Sequence, residues 1–335
     1  MEKLNVNGLI TDTRQKLGNK NARQLAVFHT GIIVAAAVVI TALQYMLTEG
    51  IGNTSGLSGL GRRSALETLQ TVLQWANMIL TPFWSLGFLN AALRWSRDQQ
   101  ADRRDLLTGF HRFGSCLGLM VNRALLTICV MILCINLSSG IYMMMPAADA
   151  LTQLTEAAAG DMNALAQMME EMDAAQTTEL LYGLIPALVI WGCLSAALLI
   201  PLLYRFRMAE FVILDQPRAR GLSAMLLSAA LLRRRCWQLF RLDLHFWWYY
   251  ALKLLCLVIC YADMLLPLMG VELSMNGDAL FLLTYGLYLA ALFGVEVAFR
   301  PQVDTAYAGV YDTLKEKGPI LRKMPEKPQN VPWDQ

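Results

Sequence analysis

The stretch Leu25–Leu47, LAVFHTGIIVAAAVVITALQYML, decides the class of fold. It holds no charged residue and is long enough, as a helix, to cross a hydrocarbon layer of ~30 Å. Basic residues precede it, as in a secretory signal. The apolar block is nevertheless longer than a signal core, and Gln44-Tyr45-Met46-Leu47 supplies no small-residue cleavage site. We read it as an uncleaved membrane span. Five more apolar blocks follow, so spans are expected at about 25–48, 68–95, 119–145, 180–204, 246–268 and 279–299. Of 335 residues, 56% are hydrophobic and 16% charged, against about 25% charged in soluble domains. That composition argues against a soluble enzyme, a disordered chain and a nucleic-acid-binding domain.

The net charge of +2 matters less than where the charges fall. Lys3, Arg14, Lys16, Lys20 and Arg23 precede the first span. Counting the span ends, Arg94, Arg97, Arg103, Arg104, Arg112 and Arg123 lie between the second and third. A third group from Arg205 to Arg241 lies between the fourth and fifth, and a fourth from Arg300 to Lys327 follows the sixth. Residues 124 to 204 contain no Lys or Arg. Lys and Arg are retained on the cytoplasmic side, so both termini are expected there, in the cell membrane. The expected fold is all-α and polytopic, with six transmembrane helices. Residues 1–24 form a basic cytoplasmic segment, 25–300 the membrane domain, and 301–335 a cytoplasmic tail, disordered from about 317, where Pro319, Pro325, Pro328 and Pro332 stand among charges. The seven cysteines, with no CxxC spacing, read as packing residues rather than a disulfide or zinc framework.

The outer loop 146–179 is acidic and is expected to form two short helices broken near Gly160. Leu165, Met168, Met169 and Met172 would form an apolar face that rests on the membrane or serves as an adaptable lid for a partner. The inner loops combine basic and apolar residues. In the second, Pro217 ends one helix, and another is expected from Ser223 through Leu226, Leu231, Leu239, Phe240 and Leu244. With Arg233, Arg234, Arg235 and Arg241 beside that apolar surface, it reads as an amphipathic interfacial helix contacting anionic lipid at the inner leaflet or a protein partner.

Four stretches resemble a bacterial membrane-protein family catalogued as a domain of unknown function, DUF 975. They are Arg14-Gln15-Lys16-Leu17-Gly18-Asn19, then Leu106-Leu107-Thr108-Gly109-Phe110 with Phe113. The third is Ala209-Glu210-Phe211-Val212-Ile213-Leu214-Asp215-Gln216-Pro217, and the last Thr305-Ala306-Tyr307 with Tyr311. Arg233-Arg234-Arg235 departs from the family's pattern. The resemblance implies a six-span helical membrane protein and no particular activity.

No catalytic, cofactor-binding or metal constellation is expected. His29, His111 and His245 lie apart, and there is no HExxH, Walker loop or GxSxG. The polar residues inside spans are the remaining signal, because charge in lipid is costly: Asn77 and Asn90 in the second span, Lys253 and Asp263 in the fifth, Glu296 in the sixth. Lys253 and Glu296 lie at similar depth in spans joined by a short loop, so they either pair or reach the inner interface separately. Gly286, Ala290 and Gly294 form a small-residue stripe suited to close helix contact, on a different face from Glu296. Trp247-Trp248-Tyr249-Tyr250 reads as an interfacial aromatic belt. The chain is therefore expected to be non-catalytic, a scaffold or accessory membrane factor. The alternative is the membrane-domain subunit of a transporter powered by a separate ATPase or an ion gradient.

Overall fold

The structure is a computed structural model and describes residues 6–18, 21–52, 60–144, 174–216, 219–233, 235–262, 265–266 and 277–317. Residues 146–173 of the outer acidic loop, Pro217, Arg234, Asp263 and the tail beyond 317 lie outside the described residues, while residues 174–179 begin a helix. In order the helices are α1 (Val6–Gly18), α2 (Ala22–Gly52), α3 (Leu60–Ser96), a 3-10 turn (Arg103–Leu107), α4 (Thr108–His111), α5 (Phe113–Tyr142), α6 (Ala174–Phe206), α7 (Ala209–Asp215), α8 (Gly221–Leu231), α9 (Cys236–His245), α10 (Trp247–Cys260) and α11 (Gly277–Lys317). No strand occurs among the described residues.

Each expected span overlaps one of these helices, that at 246–268 only over Trp247–Cys260, but among the described residues length and apolar content alone qualify four segments: Ala22–Leu47, Phe113–Tyr142, Ile185–Asp215 and Ala279–Glu316. A fifth is reached if α9 and α10, bent by 64° at their junction, count as one. Helix α3 falls short because Gln70, Gln74, Asn77 and Asn90 dilute its apolar content. The expected inner-loop helix from Ser223 to Leu244 is in fact two, α8 and α9, separated at residues 232–235. Helix α11 runs on past residue 299, through Pro301, to Lys317.

The chain divides into two compact units, residues 1–117 with 208–335, and residues 118–207. The second unit contains most of α5 and all of α6. Its apolar residues are largely exposed: Leu125, Ile128, Ile132 and Ile135 on α5, Leu188 and Val189 on α6. Helix α6 continues through both Pro186 and Pro201.

In the first unit α11 is the common partner, packed on by α1, α2, α3 and α10, while α7 packs on α3 and α8. Its core is concentrated at one end. Phe83, Phe88, Ala91, Ala92 and Trp95 of α3 are wholly buried, as are Val212 and Ile213 of α7, Leu242 of α9, and Ala306, Ala308 and Tyr311 of α11. Two glycines let backbones touch there. A Cβ on Gly87 would lie 1.8 Å from the Leu106 carbonyl oxygen, and one on Gly109 would lie 2.0 Å from that of Phe83. Only glycine permits this approach. The turn between them is held by Asp102 and Asp105: the Arg103 amide donates to Asp102 Oδ1 and the Asp102 amide to Asp105 Oδ2, both at 2.7 Å. Helix α3 ends with Asp98 at φ 59°. The Gln99 amide donates to the Arg94 carbonyl at 2.9 Å and that of Asp98 to Trp95 at 3.2 Å, a Schellman ending with Asp where glycine is usual.

Candidate functional site: charged clusters along the last helix

Helix α11 carries acids and bases at helical spacing, and each meets a different neighbour. Glu296, Arg300 and Asp304 follow one another at i,i+4, so they share a face. Arg300 NH1 lies 3.4 Å from Glu296 Oε2, and its Nε donates to Asp304 Oδ2 at 3.1 Å. From α10, Lys253 Nζ approaches Glu296 Oε1 to 2.7 Å, and the Tyr249 hydroxyl donates to the same oxygen at 3.1 Å. Tyr249 and Lys253 are themselves i,i+4, which is why both reach one carboxylate. Glu296 is 6% exposed, whereas the Lys253 side chain is 43% exposed. The Arg300 guanidinium lies over the Phe88 ring, 5.0 Å from its centroid. Thus Lys253 and Glu296 meet, and it is the Glu296 face of α11 that addresses α10. The Gly286/Gly294 stripe does not: a Cβ on either glycine meets nothing within 4 Å.

About 24 Å further along α11, at ~1.5 Å per residue, a second cluster joins four helices. Arg97 NH2 at the end of α3 sits 2.9 Å from Asp215 Oδ1 and 2.7 Å from Asp312 Oδ1. Lys315 Nζ is 2.9 Å from Asp215 Oδ2, which also accepts from the Tyr311 hydroxyl at 3.0 Å. Ser96 Oγ donates to Asp312 Oδ2 at 2.8 Å, and Lys16 Nζ of α1 donates to the Ser96 carbonyl at 3.1 Å. Burial alone would lower the pKa of Arg97, but Asp312 and Asp215 raise it overall. Lys16 follows the same pattern, with Asp12 and Asp98 outweighing burial. Asp105 behaves oppositely: burial raises its pKa, and the Asp102 amide and Arg94, 3.0 Å away, offset this only in part.

A third group lies between these two. Asp243 of α9 accepts from the Tyr250 hydroxyl at 3.0 Å and from the Tyr307 hydroxyl. The aromatic run at the start of α10 therefore divides. Trp247 is exposed and Trp248 packs edge-on against Phe299 at 4.3 Å. Tyr249 and Tyr250 turn toward carboxylates instead of forming one belt, because their hydroxyls complete acids on α11 and α9.

The remaining candidates separate. Asn90 Nδ2 donates to Thr108 Oγ1 at 3.0 Å and ties α3 to α4, whereas Asn77 accepts from Thr81 on its own helix at 3.3 Å. Arg233 and Arg241 are exposed and Arg235 half-buried, and none of them forms an ion pair among the described residues. His29 is buried against Phe88 and exchanges hydrogen bonds with Trp84: its Nε2 lies 3.2 Å from the Trp84 carbonyl, and Trp84 Nε1 donates to the His29 carbonyl at 3.2 Å. No group of three or more His, Cys, Asp or Glu able to hold a metal occurs among the described residues.

Sequence reasoning missed Arg97, Asp312, Lys315, Tyr249, Arg300 and Asp304. The i,i+4 series 296–300–304 was the available signal, since it places alternating charges on one face beyond an apolar block. Two of the resemblance stretches do meet in space, through Tyr311 and Asp215 and the stacking of Tyr311 on Phe211. Chemically, these clusters hold helices: the principal carboxylates, Asp215, Asp312 and Glu296, each accept from several donors and are balanced by nearby cations. No family model matches the chain, and no curated protein or solved structure is significantly similar to it.

Proposed function

We propose that the protein is a six-span protein of the bacterial cell membrane, the architecture its resemblance to DUF 975 implies, with both termini cytoplasmic, and that it acts without catalysis of its own as a scaffold or accessory factor. The observation that carries this reading is the division of the first unit. The first halves of α3 and α11 expose the apolar residues Val72, Trp75, Met78, Leu282, Leu283 and Leu287, while their other ends are packed together and carry the charged core of the clusters around Glu296 and Asp215. An apolar exposed half is what lipid would cover, and α3 then serves as the second span despite its polar residues. The charged core would form a rigid cytoplasmic layer, a platform for partners. A transporter subunit would need polar groups converging near mid-span, whereas the charged clusters of the first unit run from the middle of α11 to its carboxyl end. Helices α8 and α9 lie in this reading at the inner interface.

Reporter fusions test the threading. Fusions at Met1 and Gln335 should report cytoplasm, and one between Ala147 and Thr177 the exterior. An external carboxyl terminus would overturn six spans. Affinity purification in mild detergent, with mass spectrometry of bound proteins and lipids, should recover a membrane or cytoplasmic partner. Recovery of a stoichiometric ATPase would instead favour the transporter.

A further inference from the structure

Helix α9 is divided into three sectors. At about 100° per residue, Leu239 and Leu242 lie on one side and are buried in the first unit. Gln238, Arg241 and His245 occupy a second, polar sector. Trp237, Phe240 and Leu244 occupy a third, spanning about 60° of arc, and are 69%, 40% and 60% exposed. A helix on a protein surface in water needs two sectors, one buried and one polar. A third, apolar and exposed, belongs to a helix that touches protein, water and hydrocarbon at once. Trp237 and Phe240 stack at 5.2 Å, so the apolar sector presents a continuous aromatic surface.

The orientation is independent of that pattern. Helix α9 meets α10 at 64°, so if α10, carried on by the residues after Cys260, crosses the bilayer, α9 lies nearer its plane than its normal. Trp247 opens α10 immediately after the bend and is 63% exposed. On the preceding helix, Leu222 and Leu226 are also exposed, at 57% and 62%. Arg241 lies about 40° of arc from Trp237, Arg233 and Arg235 lead directly into α9, and none of the three forms an ion pair with a described acid. An apolar sector edged by unneutralised guanidinium groups is complementary to acyl chains below anionic phosphates.

We infer that α9, with the arginines at 233, 235 and 241, is an in-plane anchor that binds anionic phospholipid at the inner leaflet, Trp237, Phe240 and Leu244 lying among the acyl chains. This rests on the proposal that α10 spans the membrane. The anchor sets the tilt of α10, because Asp243 on the same helix also holds Tyr250 and Tyr307.

The full-length protein is reconstituted into vesicles containing chain-brominated phosphatidylglycerol or chain-brominated phosphatidylcholine, and fluorescence is compared with that of Trp237→Phe. The difference isolates Trp237. Its emission should be quenched by brominated chains, more by the anionic lipid, and shielded from aqueous iodide. The pair Arg235→Gln and Arg241→Gln should lower the preference for phosphatidylglycerol by about thirtyfold, the ratio that two basic residues at ~1 kcal/mol each give. Quenching by iodide but not by lipid overturns the inference, as does shielding from both, which means a protein covers the face. Equal quenching by the two lipids, unchanged in the arginine variant, overturns the anionic preference. Alkaline carbonate extraction separates the two readings. A protein that stays in the membrane while Trp237 is aqueous contradicts only the anchor, whereas a protein that is extracted contradicts the spanning reading itself.

Discussion

Helix α11 is two different helices joined end to end. Its first half exposes Phe281, Leu282, Leu283 and Leu287, and its second half buries Val303, Ala306, Ala308, Val310 and Leu314. The same split runs along α3, where Leu69, Val72, Trp75 and Met78 are exposed and Phe83, Phe88 and Trp95 are buried. In α11 the more apolar half is the less buried by protein, whereas in α3 the exposed half is the more polar one, with Gln70, Gln74 and Asn77 among its apolar residues. The difference teaches that hydropathy and burial report separate things here. Apolar surface open over several turns calls for a non-aqueous solvent, while the close packing and the charge clusters mark where the helices are held to one another.

Glycine substitutions test that split most severely. Gly87→Ala or Gly109→Ala sets a methyl into a carbonyl, at 1.8 or 2.0 Å, and should cost about 3 kcal/mol or lose folded protein altogether. Gly286→Ala and Gly294→Ala, in the open half of α11, should leave the melting temperature in detergent unchanged. Equal effects in both halves would erase the distinction.

The Glu296 cluster sharpens it next. Glu296→Ala leaves Arg300, whose side chain is 16% exposed, with Asp304 as its one remaining acid and removes the acceptor of Tyr249 and Lys253, and should cost about 2–4 kcal/mol. Lys253→Met removes a partner already 43% exposed and should cost under ~1 kcal/mol. The swap Lys253→Glu with Glu296→Lys should restore folded yield only in part, since the new lysine would stand beside Arg300. Full rescue would mean that Arg300 contributes nothing to the cluster, and equal losses from the two single changes would remove the asymmetry.

Smaller effects come from the packed end. Tyr311→Phe deletes one hydrogen bond to Asp215 and should cost about 1 kcal/mol in thermal unfolding. Asp105 gives a pH signature. Its folded pKa lies above its unfolded one because of burial, so the folded state binds the proton more readily. That contribution is present below the unfolded carboxylate pKa and is lost as pH rises through the raised value. Asp105→Asn should therefore remove a shallow decline in stability over the mildly acidic range, seen as the difference between two unfolding-versus-pH curves. Asp98→Gly should come last, stabilising by about 0.5 kcal/mol: relief of the left-handed backbone outweighs a 3.6 Å exposed ion pair to Lys16.

How far the site was legible follows the same physics. Lys253 and Glu296 could be placed at one depth because a helix rises by a constant step and a short loop implies antiparallel neighbours. Whether they met could not be read, since that depends on which face of α11 addresses α10. The small-residue stripe pointed to another face, and the structure leaves that stripe open. Arg97, Asp215, Asp312 and Lys315 were invisible as a group because they come from helices far apart in the chain.

By itself the sequence determined the helical class, the positions of the apolar blocks and the segregation of Lys and Arg. Each of these is a sum over neighbouring residues: one residue's contribution to hydropathy or charge does not depend on what it touches. Only the tertiary structure decided that α8 and α9 are separate, that α11 continues unbroken through Pro301, and that Tyr249 and Tyr250 turn toward carboxylates. Those outcomes depend on which side chains meet across the fold, and such meetings are set by packing angle and rotation about each helix axis, quantities no local stretch of residues encodes.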